Sequence, residues 1–230
     1  FHSFFSKKTL LQETFERLNF LKPADIYVST LQAYALEVKR QLPKLPKKNL
    51  IIEPLLRDTA PAIGLAAKVI AEKNPNEVMA IIYADHLIQN TGEFQKKLQE
   101  AEKIVKAAKE KPGIFAIIEV KAKFPNPNLG YVKIGKLLEE LPGGTEVYEL
   151  GSFVEKPNLK TAETYLRSFK YLWNTGMYVW KASTLLEQYR KLAPQVYRAL
   201  MKNDYAACPK ISLDYAIMEK INPKLVRIIP

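Results

Sequence analysis

Four strand-like runs, separated by segments with helical spacing, constrain this chain most strongly. The runs lie at residues 25–30, 50–53, 78–84 and 113–120, and the helical segments at residues 31–42, 59–73 and 91–110. Continuous apolar runs are typical of strands covered on both faces, and regular alternation with helices is typical of a parallel sheet. Right-handed crossovers then predict a doubly wound, Rossmann-like α/β fold with a mostly parallel sheet flanked by helices.

The order of elements changes after residue 120. Strand-like segments follow at residues 130–135, 146–155 and 173–181, with one helix near residues 161–170. Three short helical segments lie near residues 183–192, 195–202 and 212–221. This order indicates a mixed-strand α+β half. We therefore expect one domain over residues 1–230, with halves of about residues 1–120 and 121–230.

The net charge and the cysteine content restrict the possible classes of binding partner only in part. The net charge is +11 and the sequence pI is about 9.5, but lysines alternate with glutamates and no basic block forms a nucleic-acid stripe. A lysine-rich solvated surface and a preference for phosphorylated substrates both remain open. Cys208 is the single cysteine, which excludes an intrachain disulfide and favours a cytoplasmic location. We expect neither a nucleic-acid nor a membrane partner, since no apolar run approaches the ~20 residues of a membrane helix.

Asp85 directly follows the apolar run at residues 78–84. In open α/β sheets, ligands bind beyond the carboxyl ends of the strands, so the residues after each run are candidates for a site. A carboxylate in this position can bind Mg²⁺ together with substrate phosphate oxygens. It can equally cap a turn or the following helix, and the spacing does not decide between the two.

Two further strand ends carry polar side chains. Glu155 and Lys156 stand before Pro157, where Lys can neutralise a phosphate and Glu can accept sugar hydroxyls. An exposed ion pair of little energetic value is the alternative. Asn174 lies in an aromatic-flanked turn before Gly176, where it can either bind hydroxyls or simply supply turn geometry.

Several common sites are absent from the sequence. The nine glycines form neither G-x-G-x-x-G nor a P-loop, and no G-x-S-x-G elbow is present. The two histidines and one cysteine are too few and too scattered for a zinc site. The sequence therefore supports neither a serine hydrolase nor a glycine-rich loop that binds a triphosphate within these residues.

Seven segments in a fixed order make the chain resemble the mannose-1-phosphate guanylyltransferases of the sugar-nucleotidyltransferase superfamily. The segments are EP at 53–54, RDTAPA at 57–62, ADH at 84–86, GY at 130–131, EKP at 155–157, WNTGM at 173–177 and SLDYAIMEK at 212–220. The resemblance implies a GT-A-like nucleotidyltransferase fold. It also implies Mg²⁺-dependent transfer from GTP to mannose 1-phosphate, giving GDP-mannose and pyrophosphate.

The same resemblance assigns roles to residues of this chain. It makes Asp85 the Mg²⁺ ligand and places Lys156 near the sugar phosphate, so that both are expected to be catalytic. It places four residues at the mannose: Gly130, Tyr131, Glu155 and Asn174. It also implies that seven residues, in addition to Asp85, line the guanine and ribose pocket: Glu53, Pro54, Asp58, Thr59, Ala60, Pro61 and Ala62. Residues 1–120 then form the nucleotide-binding half and residues 121–230 the sugar-phosphate-binding half.

Members of this family begin with a strand and a glycine-rich loop, and carry a second metal-binding Asp after the last strand. We expect these features to flank residues 1–230. The resemblance allows a homodimer, and some relatives carry a C-terminal isomerase domain. Two alternatives stay open: another sugar-1-phosphate nucleotidyltransferase of the superfamily, and a non-catalytic nucleotide-sugar-binding domain.

Overall fold

The computed structural model describes residue 3, residues 7–109 and residues 113–230. The end of the predicted helix at residue 110 therefore lies outside the described residues. The described strands are β1 Val28–Leu31, β2 Leu50–Glu53, β3 Val78–Ala80, β4 Phe115–Lys121, β5 Tyr131–Leu141, β6 Thr145–Val154, β7 Tyr171–Lys181 and β8 Val226–Ile229. The described α-helices are α1 Leu10–Arg17, α2 Ala35–Gln41, α3 Thr59–Lys73, α4 Thr91–Ala107, α5 Leu159–Ser168, α6 Ala182–Leu192 and α7 Pro194–Met201.

The strands form a parallel pair, β1–β2, and a six-stranded mixed sheet in the order β3-β7-β4-β8-β6-β5. The predicted α/β architecture is confirmed, but parallel pairing is confined to β1–β2 and β4–β8 among the described strands. The other pairings are antiparallel because β7 returns between β3 and β4, and because β5 and β6 form a hairpin. β5 also pairs with the start of β7, which closes a circuit through β4, β8 and β6.

Helices cover both faces of the six-stranded sheet. Alternate residues of β4 enter opposite cores: Phe115 and Ile117 pack on the α3, α6 and α7 side, whereas Ala116 and Ile118 pack on the α4 side. This burial on both faces explains why the strand is a continuous apolar run. Within residues 7–109 and 113–230, no helix is both long and apolar enough to cross a bilayer.

Local signals set several element boundaries. Thr9 and Gln12 form a capping box at the start of α1. α4 is capped by Asn90, whose side chain accepts from the Glu93 amide. β3 ends at Ala80 rather than residue 84, although the Ile81 amide still donates to the Tyr178 carbonyl at 2.9 Å.

Strand register places three distant segments together. Tyr131 at the start of β5 pairs with Val154 at the end of β6 and with Trp173 of β7. Gly130 precedes Tyr131, and the chain direction reverses in both antiparallel partners. Gly130 therefore stands opposite the residues after Val154 and Trp173, namely Glu155 and Asn174.

Candidate active site

The amino end of α3 is tied firmly to the segment around residue 211. Asp58 is the N-cap, and its Oδ1 accepts from the Thr59 amide at 2.7 Å. The Ala60 amide donates to the Ile211 carbonyl at 3.1 Å, and Thr59 Oγ1 accepts from the Leu213 amide at 2.9 Å. Asp58 has φ 69° and ψ −176°, a conformation that non-glycine residues adopt only when their surroundings hold them in it.

The predicted nucleotide-binding residues of this segment do not form one continuous wall of exposed side chains. Ala60 and Pro61 are buried, and the Ala60 carbonyl accepts from the Tyr189 hydroxyl at 2.6 Å. Ala62 and Thr59 are partly exposed, and Pro54 and Asp58 are exposed. Glu53 is partly exposed and accepts from Ser29 Oγ at 2.8 Å.

Asp85 lies in an exposed loop after β3. Within the described ranges, no hydrogen bond or ion pair involves its carboxylate, which leaves both oxygens available. The loop is held from the opposite side by Arg17 at the end of α1, whose Nη2 donates to the His86 carbonyl at 3.2 Å. The Arg17 guanidinium also lies 5.7 Å from the centre of the Phe94 ring of α4.

Tyr83 connects the two sides of the site, and sequence reasoning missed it. Its ring lies so close to Gly176 that a Cβ added there would stand 2.4 Å from Cε2. Burial raises the pKa of the Tyr83 hydroxyl, and negative charge on Asp214, Asp85 and Asp58 raises it further. An interaction with the Thr59 side chain lowers the pKa of this hydroxyl. Residues predicted from different motifs thus surround one side chain.

Gly130, Glu155 and Asn174, which the resemblance places at the mannose, lie next to one another, as their register implies. A Cβ at Gly130 would lie 2.6 Å from Glu155 Oε2 and 3.1 Å from Asn174 Cβ. The Asn174 backbone amide donates to the Gly130 carbonyl at 2.8 Å. The missing side chain of Gly130 therefore lets the Glu155 carboxylate and the Asn174 side chain pack closely against its backbone.

Lys156 extends from the end of β6 beside Glu155. Its Nζ lies 3.4 Å from Glu155 Oε1, and its side chain is 57% exposed. This exposure leaves the ammonium free to move toward a phosphate. Burial, followed by the charge of Asp214, raises the pKa of the Glu155 carboxyl, while Lys156 lowers it. The backbone of Glu155 is fixed separately, because its amide donates to Glu219 Oε1 at 3.2 Å.

The Tyr131 side chain is separated from this group. It is fully buried in a small cluster with Ala122 and Ala162, and its ring centre lies 5.5 Å from that of Tyr165. Its hydroxyl accepts from the Asn126 amide at 2.8 Å. Of the predicted GY pair, Gly130 therefore borders the site, and Tyr131 anchors the strand behind it.

Asp214 is the second residue that sequence reasoning left out of the site. It begins a five-residue π-helix, Asp214–Met218, a rare conformation that is frequent at functional sites. Its Oδ1 accepts from Asn174 Nδ2 at 3.0 Å and lies 2.6 Å from the Tyr178 hydroxyl. In the sequence it lies within the segment SLDYAIMEK at residues 212–220, to which no role in the site was assigned.

Glu119 is a buried carboxyl behind Asn174. It sits at a bulge between Ile118 and Val120, and its Oε2 accepts from the Thr175 amide at 2.8 Å. Its Oε1 is buried and has no hydrogen-bond partner among the described residues. Burial raises the pKa of Glu119 well above the ordinary range, the Thr175 bond opposes this, and the charge of Asp214 adds to it.

Asp85 fits a metal site that the substrate completes. The resemblance seen in the sequence implies a divalent metal. In the part of the chain that the structure describes, no three Asp, Glu, His or Cys side chains are grouped to hold one. Mg²⁺ does not need such a group, because one or two carboxylates suffice when phosphate oxygens and water supply its other ligands. A single exposed aspartate without hydrogen bonds meets that requirement.

Comparison with known proteins adds independent information. The sequence matches the nucleotidyl transferase family over residues 2–219. Mannose-1-phosphate guanylyltransferase 2 of Escherichia coli O157:H7 is 35% identical over 92% of this chain and 48% of that protein. Mannose-1-phosphate guanylyltransferase RfbM of Salmonella typhimurium strain LT2 is 34% identical over 93% and 47%. The chain thus spans about half the length of the curated relatives it matches.

Solved structures share the fold. A crystal structure from Thermus thermophilus, named mannose-1-phosphate geranyltransferase, matches with a TM-score of 0.80 and 30% identity, covering 98% of this chain and 64% of that chain. Mannose-6-phosphate isomerase from Helicobacter pylori also matches with a TM-score of 0.80, covering 98% and 89%, but at 19% identity it shows likeness of fold alone. The chain therefore belongs to the nucleotidyl transferase family.

Proposed function

We propose that this protein transfers a guanylyl group from GTP to mannose 1-phosphate, giving GDP-mannose and pyrophosphate. One structural observation carries the proposal. Tyr83, two residues before Asp85, packs against Gly176, two residues after Asn174, and Asp214 accepts from Asn174 beside the Leu213 amide that donates to Thr59. Groups suited to a nucleotide phosphate and groups suited to a sugar phosphate therefore lie close together in the fold. The names of the curated relatives supply the choice of GTP and mannose 1-phosphate.

The reaction requires no general base from the protein. A phosphate oxygen of mannose 1-phosphate attacks the α-phosphorus of GTP, and the bond from the α-phosphorus to the bridging oxygen breaks to release pyrophosphate. The nucleophile is already an anion, so the protein must align two anions and offset their repulsion. The exposed ammonium of Lys156 is placed to do the latter for the sugar phosphate.

A divalent cation, Mg²⁺ in this proposal, would neutralise phosphate charge when bound by Asp85 and substrate oxygens. The residues of this chain supply the rest of the site. Glu155 accepts mannose hydroxyls, Asn174 donates to one, and Gly130, without a side chain, lets both side chains lie close to its backbone. On the other side, Glu53, Pro54 and residues 58–62 border the nucleotide, with Ala62 as a partly exposed contact.

The proposal is tested by measuring product formation by the full-length protein. GTP, ATP, UTP and CTP are each combined with mannose 1-phosphate and glucose 1-phosphate, with Mg²⁺ and with excess chelator. GTP with mannose 1-phosphate and Mg²⁺ should give the highest kcat/KM, and chelator should abolish turnover. A preference for another pair would identify a different sugar-1-phosphate nucleotidyltransferase, and binding without pyrophosphate release would identify a non-catalytic domain.

A substitution at Asp85 tests the proposed metal ligand separately. Asp85→Asn should lower kcat by at least about 100-fold, because charge stabilisation at transferring phosphoryl groups is a large catalytic contribution. Asp25→Asn, at a short surface turn after α1, is the matched control and should retain the wild-type rate. Near wild-type turnover by Asp85→Asn would contradict the assignment. The cytoplasmic location, the homodimer and the division into two halves stay predictions that accompany this proposal.

A further inference from the structure

The segment at residues 211–219 contacts the candidate site at three places. Its Leu213 amide donates to Thr59 at the amino end of α3. Its Glu219 carboxylate accepts from the Glu155 amide, next to Lys156. Between them, Asp214 accepts from the Asn174 side chain. Asp214 is therefore the member of this segment whose side chain contacts a proposed substrate-binding side chain.

The hydrogen bonds of Asn174 determine what it can offer to a substrate. Its Oδ1 accepts from the Gly176 amide at 3.0 Å, so the oxygen must face β7. One Nδ2 hydrogen goes to Asp214 Oδ1 at 3.0 Å. Since a side-chain amide has two N–H donors, one N–H remains. An acceptor on one side and a donor on the other fix the amide orientation, because a flipped amide would lose both bonds.

Tyr178 fixes the carboxylate in turn. Its hydroxyl lies 2.6 Å from Asp214 Oδ1, and its side chain is fully buried between the sheet and the α3, α6 and α7 helices. The Tyr178 hydroxyl and the Asn174 N–H thus both reach one carboxylate oxygen, and the same hydroxyl also lies 3.0 Å from Asn174 Oδ1. Charge-assisted hydrogen bonds of this kind are roughly twice as strong as neutral ones.

We propose that Asp214 is a positioning residue, which orients the Asn174 amide so that its remaining N–H faces the sugar-phosphate substrate. This inference rests on the proposed function, since it takes mannose 1-phosphate as the ligand of Asn174. Asp214 acts through Asn174, with Tyr178 holding the carboxylate. The proposed nucleotide-binding residues at the amino end of α3, in contrast, are hydrogen-bonded to the backbone of residues 211–213 and not to the Asp214 side chain.

A binding experiment separates this role from a general contribution to folding. Calorimetry measures the Kd of mannose 1-phosphate and of GTP for full-length wild type, Asp214→Ala, Asn174→Ala and the double variant. Asp214→Ala should raise the Kd of mannose 1-phosphate by about 10- to 100-fold, the usual range for a hydrogen bond to a charged group. The Kd of GTP should change less than about twofold, since the bonds at Thr59 remain.

The double variant gives the decisive comparison. If Asp214 acts only through Asn174, then Asp214→Ala should add almost nothing in the Asn174→Ala background. Asp204→Ala is the control, because Asp204 caps a short turn outside the site by accepting from the Ala207 amide at 3.2 Å. If Asp214→Ala does not fold, Asp214→Asn, which keeps an oxygen acceptor but no charge, and Tyr178→Phe should show the same selective effect on a smaller scale.

Two results would overturn the positioning role. One is an equal loss of GTP and mannose 1-phosphate binding in the Asp214 variants, which a merely structural role predicts. The other is full additivity of the Asp214→Ala and Asn174→Ala effects. If the variants show this non-additive loss of mannose 1-phosphate binding but the wild-type protein forms no GDP-mannose, the proposed function is contradicted and the positioning role stays supported.

Discussion

The ring of Tyr83 packs directly against the Cα of Gly176, and this contact joins the loop after β3 to the bend in β7. A Cβ on Gly176 would lie 2.4 Å from Tyr83 Cε2, and Gly176 has φ 71°, a backbone conformation that L side chains rarely adopt. Both the contact and the backbone angle require glycine at this position. The loop that carries Asp85 is therefore held against the segment that carries Asn174.

The first prediction follows from that contact. Gly176→Ala should lower the free energy of unfolding by about 1–2 kcal/mol for the backbone angle alone. It should also lower kcat/KM, because Tyr83 must move away from β7. Urea unfolding and steady-state kinetics measure the two effects. Gly92→Ala in the first turn of α4 is the control, since its Cβ would meet nothing closer than Asn90 Oδ1 at 3.8 Å. Equal effects of both substitutions would contradict the prediction.

Gly130→Ala should act on substrate binding more than on folding. The new Cβ would occupy the space between Glu155 and Asn174, 2.6 Å from Glu155 Oε2. The carboxylate must then rotate away from the position proposed for a sugar hydroxyl. We expect the KM for mannose 1-phosphate to rise by about tenfold or more, and the KM for GTP to change little. An unchanged KM for mannose 1-phosphate would remove Gly130 and its neighbours from the sugar site.

Two alanines near the start of α3 should respond differently to enlargement. Ala60 is completely buried, so Ala60→Leu should overpack the core and destabilise the fold by about 1–3 kcal/mol. Ala62 is partly exposed, so Ala62→Leu should leave the melting temperature nearly unchanged and raise the KM for GTP. Kinetics on both variants test whether this segment borders the nucleotide. A normal KM for GTP in Ala62→Leu would show that the segment serves packing alone.

Glu119 should make stability depend on pH. Its pKa is raised in the folded protein, chiefly by burial, so the folded state holds this proton at pH values where the unfolded state has lost it. Stability from this group is complete below the ordinary carboxyl pKa of about 4.3 and is lost as pH rises toward the folded pKa.

The neutral variant Glu119→Gln isolates this effect, since its amide oxygen can still accept from Thr175. Relative to wild type, the variant should gain up to about 1.4 kcal/mol of stability per pH unit within that window. Urea unfolding at several pH values between about 5 and 8 measures the difference. Parallel curves for the two proteins would mean that Glu119 does not titrate differently on folding.

Local sequence patterns predicted much of the fold. The helix at residues 59–73 and the strand at residues 50–53 are confirmed, because each depends on neighbours in sequence. The strand predicted at residues 78–84 was too long, because its length depends on tertiary contacts with β7. Its partner β7 bends at Gly176, and pairing ends where that bend and the packed ring of Tyr83 begin.

The candidate site was predictable only in part. Asp85, Glu155 and Asn174 were found because polar residues at strand ends gather at one edge of a sheet. That Gly130 faces Glu155 and Asn174 depends on the register of β5 with two distant strands, which no local pattern specifies.

Glu119 was overlooked because it stands inside the run FAIIEV, with one more apolar residue after it, and not after the end of the strand. Tyr83 and Asp214 looked like ordinary members of an apolar strand and a helix. Their importance comes from contacts with residues 59, 174 and 176, which only the folded chain brings near.

The proposed function concerns chemistry at the α-phosphorus, and ³¹P NMR observes it directly. Full-length protein is incubated with GTP, mannose 1-phosphate and Mg²⁺, and the phosphorus resonances are followed in time. We expect loss of the GTP and sugar-phosphate signals, with GDP-mannose and pyrophosphate appearing in equal amounts. Unchanged substrates, or hydrolysis of GTP to GDP and orthophosphate with mannose 1-phosphate left intact, would contradict guanylyl transfer by this protein.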